Sequence, residues 1–91
     1  MSNNLLLPDE LTIQTVSAEI IKLRESSAKL TSAVTLDASG LVSVDTAGVQ
    51  LLFALVKELK SKGCSVAWQS VPTVLSDTAK ILGAGEALEL T

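Results

Sequence analysis

Val44-Asp45-Thr46-Ala47-Gly48-Val49 lies between an apolar run ending Leu36-Asp37 and the most hydrophobic helical pattern in the chain. A hydroxyl beside a carboxylate is thus expected at a helix N-terminus. The first-turn N–H groups there have no intrahelical partners, and the helix dipole favours negative charge. The position suits a phosphate, and Thr46, as N-cap or first-turn residue, is the candidate phosphoacceptor.

Downstream of this stretch, Val49, Leu51, Leu52, Phe53, Leu55, Val56 and Leu59 recur through a helix expected over 47–62. Gln50, Lys57, Glu58, Lys60 and Ser61 gather on its other side, and Gly63 stands where a C′ glycine stops a helix. Val49, Leu52, Val56 and Leu59 form a stripe that can face a sheet. The surplus of Leu51, Phe53 and Leu55 fits either a second helix of the same domain or a protein-binding surface.

Upstream, Ala33-Val34-Thr35-Leu36-Asp37 is β-branched and apolar and ends at Ala38-Ser39-Gly40, a buried strand followed by a turn. Asp37 at its end is placed to accept from loop amides. Val16, Ile20, Leu23 and Leu30 mark an amphipathic helix of about four turns starting near Thr15. Before it, Leu5–Leu7 and Glu10–Ile13 read as two short strands around the Pro8-Asp9 turn.

Toward the C-terminus, Cys64, Val66 and Trp68 alternate along a further strand, and Cys64 reads as a small buried hydrophobe. Pro72 sits near the first turn of a last helix. Val74, Leu75, Thr78, Ile81 and Leu82 are its expected inner stripe, and Gly83 ends it. Strands alternating with helices imply right-handed crossovers and a partly parallel sheet with helices packed on it. The 91 residues show no linker or repeat and read as one domain, residues 1–91.

Composition narrows the function. The chain is 47% hydrophobic with Trp68 and Phe53 as its only aromatics, so the core is aliphatic. A chain of this size buries roughly 60–65% of its unfolded surface, enough for one modest core. The net charge is −3 without a basic patch, which argues against nucleic acid as a ligand. No apolar run approaches the ~18 residues of a membrane span, and the N-terminus has no positive n-region. One cysteine excludes an internal disulfide, and a cytoplasmic protein is expected. Histidine is absent, so no Ser/His/Asp or Cys/His set can form. Neither a phosphate-binding glycine loop nor a metal-ligand cluster is present. A non-catalytic protein without cofactor or metal is expected.

Leu36-Asp37-Ala38-Ser39, followed by Val44-Asp45-Thr46-Ala47-Gly48-Val49-Gln50-Leu51-Leu52, resembles the signature of STAS domains. This family includes the anti-sigma-factor antagonists and the tails of sulfate transporters. In it a strand ends in aspartate, a short loop follows, and Asp-Ser/Thr-small-Gly opens a helix. The likeness implies an α/β domain with a four- to five-stranded, mostly parallel or mixed sheet and about three to four helices. It implies a bacterial partner-switching regulator of signal transduction, phosphorylated at Thr46. Asp45, Thr46, Ala47, Gly48, Gln50 and Leu51 would form the partner-binding face, and Ser39 and Ser43 would flank it. The implied partner is a kinase-type anti-sigma factor with its phosphatase.

One position departs from the antagonists, which often carry Gly-Glu-Leu-Asp before the first helix. Here the stretch is Asp9-Glu10-Leu11-Thr12. Stand-alone family members with Asp-Thr-small-Gly also serve bacterial phospholipid-transport ABC complexes. That makes a transporter ATPase the alternative partner.

Overall fold

The computed structural model describes residues 3–85 and residue 88. Among them the elements run β1 (Asn4–Leu6), β2 (Glu10–Leu11), α1 (Val16–Ser27), β3 (Ala33–Asp37), β4 (Ser43–Val44), α2 (Thr46–Ser61), β5 (Ser65–Gln69) and α3 (Thr73–Ile81). The strand expected over 33–37 and the helix around 47–62 form within one residue of their expected ends.

Strand β3 is central, with β1 and β5 on its flanks and both pairings parallel. Strands β2 and β4 form a separate parallel pair, with Leu11 opposite Val44. The expected four to five strands therefore divide into a sheet of three and a ladder of two. Pro8, which has no N–H to donate, separates β1 from β2 and lets the chain leave one sheet for the other. The second expected strand also stops short: Ile13 belongs to a turn, not to β2.

The core is aliphatic. Val34 and Leu36 of β3 are fully buried, as are Val49, Leu52, Val56 and Leu59 of α2 and Leu75 of α3. The surplus apolar residues of α2 divide by position. Leu51 and Leu55 are buried in the seam against Ile20 and Leu23 of α1, whereas Phe53 stays 40% exposed. A second helix of the same domain thus accounts for Leu51 and Leu55. An Arg24–Glu58 ion pair crosses the same seam at 3.8 Å between exposed side chains. Pairs of this kind contribute about 0.5 kcal/mol.

Helix ends follow from the sequence. Gly63 adopts φ +85°, the Cys64 N–H donates to the Leu59 carbonyl and the Gly63 N–H to that of Lys60. This Schellman closure ends α2. Gly83, at φ +68°, closes α3 in the same way through Ala84 and Ala79. The inner stripe of α3 is corrected: Leu75 and Ala79 are buried, but Ile81 is 83% exposed and Leu82 42%. At 3.6 residues per turn Ile81 points about 120° away from Leu75 and about 160° away from Ala79, off the buried face.

Candidate functional site at the start of helix α2

Chain direction sets the geometry. Strand β4 runs beside β2, and the Asp45 N–H extends the ladder by donating to the Leu11 carbonyl at 3.2 Å. The backbone of Asp45 is extended, with φ −124° and ψ −168°, and α2 starts at the next residue. Asp45 is therefore the N-cap and Thr46 the first helical residue. Of the two positions expected for Thr46, the structure selects the first turn.

The Asp45 carboxylate ties two segments together. Its Oδ1 accepts from the Gly48 N–H at 3.1 Å, the usual N-cap contact. Its Oδ2 accepts from the Ile13 N–H at 2.9 Å, in the turn between β2 and α1. The Ile13 N–H, and then the Gly48 and Ala47 N–H groups, hold this carboxyl below the usual carboxylate range.

Thr46 is exposed, and among the described residues its hydroxyl takes no hydrogen-bond partner. The side chain thus projects from a helix end already capped by its neighbour. Ala47 is half-buried and Gln50 exposed. Gly48 is buried, and a Cβ there would run into the Leu11 carbonyl oxygen and a Val44 methyl. It acts by close packing of α2 on the β2–β4 ladder. Leu51 is only 6% exposed. Gly48 and Leu51 thus support the face from beneath and present little of it.

Ser43 is exposed in β4, two residues before the cap. Ser39 is exposed in the turn after β3, where its N–H donates to Asp37 Oδ1 at 2.9 Å. That bond, then the Ser39 hydroxyl, lowers the Asp37 pKa. Asp37 therefore shapes its own turn, as its place at a strand end suggests.

Beside Thr46, α1 and α2 leave a shallow groove of about 350 Å³. Val16, Ser17 and Ile20 line it from α1, and Ala47, Gln50, Leu51 and Ala54 line it from α2. Ile13 is 72% exposed and Val42 74% exposed, near the ends of β2 and β4. Neither was singled out by sequence reasoning. The available signal was slight: Ile13 follows Leu11 and Val42 precedes Val44 at the two-residue spacing of a strand, yet in each pair only the other member is buried.

A family model described as "Mlab, STAS domain" matches residues 3–90. The chain belongs to the STAS domain family. No curated protein matches it. STAS domains generally act through protein–protein contacts and are generally non-enzymatic. Among the described residues of this STAS domain, no group of three His, Cys, Asp or Glu side chains gathers to hold a metal. No described helix is long and apolar enough to cross a membrane.

Proposed function

We propose that this STAS domain is a non-catalytic docking module whose partner covers the start of α2, and that phosphorylation of Thr46 releases the partner. The exposed, unpartnered Thr46 hydroxyl beside an apolar groove supports the reading most directly. A phosphate brings about −1.5 to −2 charge. Placed next to the ionised Asp45, it opposes an apolar or acidic partner surface. Ala47 and Gln50 supply contact area, Asp45 orients the start of the helix, and Ser39 and Ser43 stand at the rim. The likeness to anti-sigma-factor antagonists supplies the partner class, a kinase-type anti-sigma factor opposed by a phosphatase.

Two observations favour a second reading, a small subunit bound to the ATPase of a bacterial phospholipid-transport complex. The matched family model carries the description Mlab. Thr12, which replaces the antagonists' acidic residue, is turned into its own loop, its Oγ1 donating to Glu10 Oε2 at 2.7 Å.

One experiment separates the two. The protein is incubated with cell lysate and ATP, and phosphate is located by mass spectrometry. In parallel, partners of the wild type and of Thr46→Asp are captured. Phosphate on Thr46, with the partner lost from Thr46→Asp, is the expected result. An unmodified Thr46, with a nucleotide-binding ATPase retained equally by both proteins, would replace the switch with the transport reading.

A further inference from the structure

The Thr12–Thr15 turn is knitted internally. The Thr12 N–H donates to Thr15 Oγ1 at 3.0 Å, and Thr15 Oγ1 in turn donates to the Glu10 carbonyl at 3.1 Å. The Thr15 N–H donates to the Thr12 carbonyl at 2.9 Å. These bonds hold the turn to β2 and to the start of α1, and the Ile13 N–H bond to Asp45 Oδ2 ties it to the start of α2. The other oxygen of the same carboxylate serves α2 itself. The backbone of Asp45 is fixed separately, through its N–H on Leu11. The carboxylate can therefore swing while the ladder stays paired.

From this geometry we infer that Asp45 couples residue 46 to the β2–α1 turn, so that a phosphate on Thr46 unlatches Ile13. The inference rests on the phosphorylation reading above. A phosphate on the first helical residue competes for the first-turn N–H groups that Asp45 now caps, and it repels the neighbouring carboxylate. Asp45 then loses its hold on the Ile13 N–H, and the exposed Ile13 is released from the start of α2 while the rest of the turn stays held by Glu10 and Thr15. The modification thereby changes the shape of the surface as well as its charge. Asp45 is a positioning residue in this scheme.

The test reads amide hydrogen exchange by NMR on the full chain. Phosphothreonine is installed at position 46 during translation, so no kinase is needed. Expected is about a tenfold faster exchange at Ile13, the size of one lost charge-assisted hydrogen bond, with Leu52 and Val56 in the body of α2 unchanged. Asp45→Asn keeps a capping oxygen for Gly48 but turns an NH2 toward Ile13. It should release Ile13 to the same extent, and adding the phosphate should then do nothing more. Unchanged Ile13 exchange in the phosphorylated protein, or an equal phosphate effect in Asp45→Asn, would overturn the coupling. The switch reading is scored separately by partner capture, which can succeed or fail whatever Ile13 does.

Discussion

Gly48 lies so close to the carbonyl of Leu11 that no side chain fits between them. The first turn of α2 is in this way seated on the β2–β4 ladder, and the glycine of the Asp-Thr-Ala-Gly stretch is required by packing. Gly48→Ala must shift backbone and not merely a side-chain tip. We expect a loss of about 2–4 kcal/mol, in the range of severe overpacking. Chemical denaturation checks it, and a variant as stable as the wild type would contradict this seating.

Leu51 and Gln50 are adjacent in sequence but should separate stability from docking. Leu51 is buried against α1, so Leu51→Ala should cost about 2–4 kcal/mol. Gln50 is exposed, and Gln50→Ala should stay within about 0.5 kcal/mol of the wild type. In partner capture the order reverses, with Gln50→Ala weakening binding while the fold is intact.

Acid should loosen the start of α2. Asp45 and Asp37 are held below their ordinary pKa by backbone N–H groups, Ile13 for the first and Ser39 for the second. A carboxyl with a depressed folded-state pKa stabilises the fold above its unfolded value, about 4 for aspartate. That contribution is lost as pH falls through the depressed value. Carboxyl titration by NMR should place both groups below an exposed aspartate. Asp45→Asn should make stability less steeply dependent on pH below about 4.

Lys62 closes the end of α1 from the end of α2, its Nζ donating to the Ser27 carbonyl at 2.9 Å. The ammonium is a second donor to this carbonyl, which also accepts from the Leu30 N–H, and a cation at a helix C-terminus opposes the dipole. Lys62→Met keeps the aliphatic stem and should cost about 1 kcal/mol. The exchange of Ala28 and Lys29 amides should rise with it.

Legibility in the sequence tracked how local the deciding contact is. Helix α2 and strand β3 were readable because their apolar periods and their stop residues, Gly63 and Ala38-Ser39-Gly40, lie within each segment. The β2–β4 pair was only half readable: Glu10–Ile13 is expected as a strand and contains β2, but the two residues of β4 carry no period and exist as a strand only through their distant partner. The choice of Asp45 over Thr46 as cap was equally open, because both residue types cap well. The Ile13 N–H, 32 positions away, fits Asp45. In α3 the apolar list mixed two faces, and the packing of Leu75 and Ala79 decided between them.

Parallel pairing throughout also sets how this molecule assembles in time. Asn4 meets Thr35, Glu10 meets Ser43, and Ala33 meets Ser65, so each ladder joins residues about thirty positions apart and no hairpin can act as a cheap local seed. A nascent chain still lacking β5 would leave one whole edge of β3 without hydrogen-bond partners. Folding should therefore wait for the region around Trp68, whose fluorescence would report on its completion.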